Sequence, residues 1–141
     1  MEVLRLATSL AEWPRLTGAF ATAEKRSVVC GSRVVVDVAM NDAGRVAAFG
    51  QDVQACALGQ ASAALLAKHI VGRSADEIED ARLKLTRFLA GTEDAIGDWP
   101  GLDVLTSARG YPARHASIRL PFEAAAEAVR LASESQRGGA R

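Results

Sequence analysis

The run Val34-Val-Val-Asp-Val-Ala-Met40-Asn-Asp-Ala-Gly44-Arg-Val-Ala-Ala-Phe-Gly-Gln51 decides the fold class. Val34, Val36, Val38 and Met40 recur with period 2, the repeat of a strand with one buried face. Asn41-Asp-Ala-Gly44 supplies turn residues, and Arg45 to Gln51 returns as a partner strand with Val46, Ala48 and Phe49 as its apolar content. These residues predict an antiparallel hairpin. A two-stranded ribbon is marginal on its own, so a third strand is expected from Ser27-Val-Val29 or from residues near Phe20.

On the C-terminal side the period becomes helical. Leu58, Ala61, Ser62, Leu65, Leu66 and His69 share one helix face, with Gly72 placed as a left-handed cap. Ser74-Ala-Asp-Glu77 reads as a capping box that opens a helix carrying Ile78, Ala81, Leu85, Phe88 and Leu89 and ending at Gly91. Asp98 to Arg109 suggests a short helix closed by Gly110. A last helix is expected to begin between Ala116 and Pro121, to bury Ile118 or Phe122 with Ala125, Ala126 and Val129, and to fray into a disordered polar tail from about Ser133. On the N-terminal side Val3, Leu6, Ala7 and Leu10 predict a helix over Glu2 to Trp13, stopped by Pro14, and Pro14 to Lys25 reads as a loop. The order predicts an α+β fold: an N-terminal helix, a small antiparallel sheet of two to three strands, then three to four helices packed on one face.

The 141 residues suffice for one core without staples, so residues 1–141 are expected to form a single domain. That core is modest, because 28 of the residues are alanine. Seventeen basic residues balance seventeen acidic ones, which leaves no electrostatic footprint for nucleic acid or an anionic membrane. No apolar run approaches the roughly 20 residues that span a bilayer, and the start lacks the pattern of a secretory leader. A cytoplasmic location is expected. In such a reducing compartment the two cysteines, Cys30 and Cys56, are expected as thiols or ligands rather than a disulfide.

Cys30 and Cys56 flank the hairpin Ser32 to Val53, whose ends lie close together, so both thiols can share one end of the sheet. Cys56 also opens a helix, where unpaired N–H groups favour the thiolate. Two buried, inert thiols are the alternative reading. Cys30 or Cys56 with His115 reads only weakly as a nucleophile and base, since no orienting third group is indicated and no oxyanion loop or phosphate-binding Gly-rich motif is recognisable.

Three blocks, in order, carry a resemblance: Cys30-Gly-Ser32; Gly50-Gln-Asp-Val-Gln-Ala-Cys56 with its continuation to Leu66; and Pro112-Ala-Arg-His-Ala-Ser-Ile-Arg-Leu-Pro-Phe122. Together with Pro14-Arg-Leu-Thr-Gly18 upstream, they resemble the signature blocks of the IscU/SufU/NifU family of iron–sulfur cluster assembly scaffolds over about Pro14 to Val129. The resemblance implies the SufE/NifU-like fold and matches Cys30 and Cys56 to the first two cluster-binding cysteines. The family's third cysteine falls on Ser117 and its aspartate on Ser32. His115, two residues before Ser117, is displaced by one position from a family histidine and is a candidate nitrogen ligand; hydrogen bonding to backbone is the alternative. Ser117 itself is expected to N-cap the last helix. His69 lies about 20 Å along the helix from Cys56, too far to join.

By this resemblance the chain takes sulfur from a cysteine desulfurase, holds iron and sulfide at Cys30 and Cys56, and passes a cluster to apo iron–sulfur acceptor proteins. The implied cofactor is a labile [2Fe–2S] cluster or iron, with zinc able to occupy the same pocket, and a homodimer would bring four thiolates to one cluster. A SufE-type persulfide acceptor and a degenerate partner protein that binds no metal are the alternatives. Arg109, Arg114 and Arg119 suggest either a basic rim for an acidic partner or an ordinary solvated face. The Leu-Pro-Pro-Val-Lys stretch that IscU-type members present to a chaperone is replaced by Gly110-Tyr-Pro-Ala-Arg114.

Overall fold

Residues Ala21–Ser27 (β1), Ser32–Met40 (β2) and Val46–Gln54 (β3) form one antiparallel sheet in that order, in a computed structural model that describes residues 2–18 and 20–139. The predicted hairpin is β2–β3, in register from Arg33 opposite Gln54 to Ala39 opposite Ala48, with a bulge at Ala39/Met40. The Asn41 side chain closes its turn by accepting from the N–H groups of Ala43 and Arg45, each at 3.0 Å. The valines Val34, Val36 and Val38 are fully buried. The third strand starts at Ala21, inside the stretch expected to be a loop, and pairs from Ala21 opposite Val38 to Ser27 opposite Ser32. Val28 and Val29 are not strand residues. They stand 98% and 85% exposed in the β1–β2 turn. The inward positions of β1 are Ala23 and Ser27, small side chains that give no hydrophobic alternation to read.

Around the sheet lie α1 (Glu2–Thr8), α2 (Ala57–His69), α3 (Ala75–Ala90) and α4 (His115–Gly139). The first is shorter than expected, because residues Ser9–Glu12 tighten into a 3-10 turn before Pro14. The capping box of α3 is formed: Ser74 Oγ accepts from the Glu77 N–H and the Glu77 carboxylate accepts from the Ser74 N–H, both at 3.2 Å, and Gly91 ends the helix with φ of 84°. Gly72 does not cap α2, which ends at His69 with Ile70 as its C-cap; the Gly72 N–H instead donates to the Val46 carbonyl at 2.8 Å and ties the helix exit to β3. Residues Leu102–Gly110 are 3-10 rather than α-helix, and Gly101, with φ of 84°, starts the segment, whereas Gly110 does not close it. The Trp99 indole N–H donates to the Leu65 carbonyl at 2.9 Å, and its ring meets Phe122 edge-on at 5.4 Å, which locks this segment onto α2 and α4.

The last helix departs from expectation at both ends. It begins at His115 and runs through Gly139, so the polar stretch from Ser133 continues the helix; at its start the exposed face is stitched by Arg130 to Glu134 at 2.7 Å. Pro121 lies inside α4, where it lacks the N–H that would otherwise donate to the Ser117 carbonyl one turn earlier. Just there, Ser62 Oγ donates to the Ile118 carbonyl at 2.7 Å from α2. The buried side of α4 (Ile118, Phe122, Ala125 and Val129) shares one core with the β2 valines and with Leu66, Ile78 and Leu85 of the other helices. No helix among the described residues is long and apolar enough to cross a membrane.

Candidate cysteine site

The β1–β2 turn Val28–Gly31 closes where the Gly31 N–H donates to the Ser27 carbonyl at 2.8 Å. Gly31 adopts φ of 71°, a left-handed conformation that other residues take at a cost. Cys30 therefore sits exposed on a solvated turn, with its Sγ 3.1 Å from Ser32 Oγ at the start of β2. Hydrogen bonds from Ser27 and Ser32 hold the Cys30 thiol below the usual cysteine range.

Cys56 occupies the N-cap position of α2 with extended backbone and is partly buried. Burial pushes its thiol up, but the Ser117 hydroxyl, the nearby N–H groups of Gly59 and Leu58 and the charge of Arg114 outweigh it, so the net direction is down. The N–H groups act here by proximity, since the sulfur makes no geometric capping bond.

Two serines join the thiols. Ser32 Oγ donates to Ser117 Oγ at 3.3 Å, and Cys56 Sγ lies 3.4 Å from the same Ser117 Oγ. Ser117 is fully buried and Ser32 nearly so. The result is a hydrogen-bonded string, Cys30–Ser32–Ser117–Cys56, across the end of the sheet. Both thiols do share that end, Cys30 exposed and Cys56 partly buried, so they are not two fully buried core cysteines. Ser117 is not the expected N-cap: it lies in the first turn of α4, pointing at Cys56, and α2 approaches it through Gly59, where a Cβ would stand 2.1 Å from Ser117 Oγ.

Similarity to solved structures converges on one family. The chain superposes on the N-terminal part of a nitrogen-fixing NifU-like protein from Brucella abortus with a TM-score of 0.83 and 36% identity, covering 94% of this chain and 92% of that one. The chain belongs to the NifU-like family. A protein described as the iron–sulfur cluster assembly scaffold of the SUF system in Fervidobacterium islandicum AW-1 has the same fold at 17% identity, with a TM-score of 0.82 over 91% of this chain and 93% of that one. No protein-family profile and no curated protein matches the chain. The expected α+β NifU-like architecture is thus the observed one.

Among the described residues of this NifU-like chain, no three His, Cys, Asp or Glu side chains gather to hold a metal ion. His115 is buried at the start of α4 with its Nε2 3.0 Å from the Ala108 carbonyl and 3.1 Å from that of Arg109. Its ring thus ties α4 to the 3-10 segment, as the backbone-bonding alternative anticipates. The three arginines do not form a common rim. Arg109 donates to the Glu93 carbonyl and lies over the Phe88 ring, Arg119 pairs with Glu123, and Arg114 alone acts on Cys56. His69 ends α2, remote from Cys56 at its start. A groove between α3, α4 and β1 lies away from the thiols, and its lining includes the ion pairs Lys25–Glu127 and Arg82–Glu79.

One organising residue of the NifU-like chain escaped the sequence reading. Asp37 is fully buried in β2, yet it accepts from Arg15 Nε at 2.6 Å and Nη2 at 3.1 Å, from Thr22 Oγ1 at 2.7 Å and from the Leu16 N–H at 3.0 Å. Burial pushes its carboxyl up, and these four donors more than reverse that. They strap Pro14–Leu16 across the sheet face opposite Val34, Val36 and Val38. Gly50 lets the strap approach, since a Cβ there would lie 2.3 Å from the Pro14 carbonyl oxygen. The signal was available: a lone carboxylate in a valine run, downstream of an arginine in a family block.

Proposed function

We propose that this chain is an iron–sulfur cluster assembly scaffold that carries its cargo on the Cys30 and Cys56 thiolates. The observation that supports this most is the hydroxyl-linked thiol pair at the sheet end of a NifU-like fold. Thiolates are soft donors suited to iron, sulfide and zinc, and hydroxyl hydrogen bonds favour the ligating, deprotonated form. One chain offers two thiolates against the four terminal ligands of a [2Fe–2S] rhomb, so the cluster is shared between two chains and is labile. A cysteine desulfurase supplies the sulfur and apo iron–sulfur proteins receive the cluster, in the cytoplasm. His115 joins the ligands only by giving up both carbonyl contacts.

Zinc titration under reducing conditions tests the ligand set. Cys30→Ala and Cys56→Ala each abolish zinc retention on this account, and His115→Ala, which loses a positioning contact only, retains it. Retention unchanged in both cysteine variants overturns the assignment.

A SufE-type persulfide acceptor is the second reading, favoured by the exposure of Cys30 at the tip of a turn beside Val28 and Val29. A persulfide on Cys30 in a protein that takes up neither iron nor zinc selects it. Full function in both single cysteine variants selects instead a partner protein that binds no metal.

A further inference from the structure

Two thiols of unequal access at one site, with no third metal-ligating side chain beside them among the described residues, have a chemistry of their own. Cys30 is exposed on a four-residue turn, and Cys56 is partly buried and fixed at a helix start. The β2–β3 register ends at Arg33 opposite Gln54, so the segments that carry Cys30 and Cys56 leave the sheet at the same end. The Ser32 and Ser117 hydroxyls already bridge the two sulfurs.

We infer that Cys30 and Cys56 form a dithiol that releases hydrosulfide from a persulfide delivered to Cys30. The inference rests on the reading of the chain as a carrier of sulfur for cluster assembly. A hydropersulfide donor, R–S–SH, transfers its outer sulfur to Cys30: the donor S–S bond breaks, a Cys30 Sγ–S bond forms, and the donor leaves as R–SH. The Cys56 thiolate then attacks Cys30 Sγ. The Cys30 Sγ–S bond breaks with its electron pair going to the outer sulfur, which departs as HS⁻, and a Cys30–Cys56 disulfide forms. The two cysteine sulfurs are oxidised and the sulfane sulfur is reduced to sulfide, so the step balances without an external electron. A dithiol reductant resets the pair afterwards.

The division of labour follows from the placement. The solvated thiol can enter a donor's site, and the sheltered one attacks once the turn folds back. Disulfide geometry demands close Cα approach, and the Val28–Gly31 turn is the element that supplies it, since Cys56 is anchored in α2. The serine hydroxyls stand beside the sulfur from which HS⁻ leaves.

The experiment uses metal-free, reduced full-length chain under anaerobic conditions, mixed with one equivalent of a low-molecular-weight hydropersulfide. Sulfide is measured by methylene blue formation, free thiols by alkylation, and adducts by intact mass. The expected result is close to one sulfide per chain with loss of both thiols in a monomer. Cys56→Ser keeps one added sulfur on Cys30 and releases at least tenfold less sulfide. Equal sulfide release from Cys56→Ser, a persistent persulfide on the unsubstituted chain, or a disulfide between chains overturns the inference. Because no iron or zinc is present, those outcomes leave the metal titrations above to judge the scaffold reading separately.

Discussion

Ser117 Oγ touches both Cys56 Sγ and Ser32 Oγ from a fully buried position, so a single hydroxyl relays between the two halves of the site. A hydroxyl that donates to a thiolate stabilises the anion, and removing it raises the thiol pKa. Ser117→Ala is therefore expected to move Cys56 upward, and Ser32→Ala to move Cys30 upward. The pH dependence of iodoacetamide alkylation checks both: each midpoint shifts to higher pH and the affected thiol reacts more slowly at neutral pH. An unchanged midpoint means the serines only fill space. The cysteines were readable in the sequence because two scarce thiols bracket one hairpin. The serines at the family's ligand positions were readable by alignment of blocks, but Ser117 looked like a cap, since only the packing of α2 on α4 shows that its hydroxyl faces a sulfur.

At the scale of elements, two close approaches hold the site in place. Gly59 admits α4 to α2, and Gly59→Ala puts a Cβ 2.1 Å from Ser117 Oγ and 2.8 Å from the Ala55 Cβ. Overpacking of this kind costs about 1–3 kcal/mol, and the variant is expected to lower urea stability by that amount while loosening the Cys56–Ser117 contact. On the opposite sheet face, the Arg15–Asp37 strap carries a pH signature. The folded Asp37 carboxyl titrates below its unfolded value, so its contribution is complete above about pH 4 and is lost as pH falls through the folded value. Asp37→Asn is expected to flatten this acid limb in unfolding curves taken between neutral and acidic pH. Arg15→Ala costs about 2 kcal/mol at neutral pH, the scale of a charged hydrogen bond to a buried partner.

The same scale shows why some elements were hidden. The β2–β3 hairpin and α3 could be read because bulky residues keep a strict period and end on turn or capping chemistry. Strand β1 is legible only as the expected third strand near Phe20, without bounds, since its inward positions are Ala23 and Ser27, and the alternation that marks a strand is carried by large side chains. The extension of α4 was missed because a polar surface face of a helix and a polar tail look alike in composition. Pro121 is the late bound of the expected start of α4, yet the helix absorbs it, and Ser62 bonds the Ile118 carbonyl three residues before it.

For the molecule as a whole, the helices on the Val34–Val38 face and the strap on the other leave the sheet end as the place where the chain displays reactive side chains. The formal charges balance, and Val28, Val29 and Cys30 stand exposed together at the tip of the β1–β2 turn. Under the proposed function, half a ligand set per chain makes cargo loading and self-association one event. Anaerobic reconstitution with iron and sulfide, followed by absorption and by mass from size-exclusion chromatography with light scattering, tests this most directly. The account predicts visible charge-transfer bands, about one [2Fe–2S] cluster per two chains, a shift from monomer to dimer on loading, and loss of all three in Cys30→Ala or Cys56→Ala. A protein that takes up no iron under reducing conditions, or one whose cluster persists when either cysteine is removed, contradicts it.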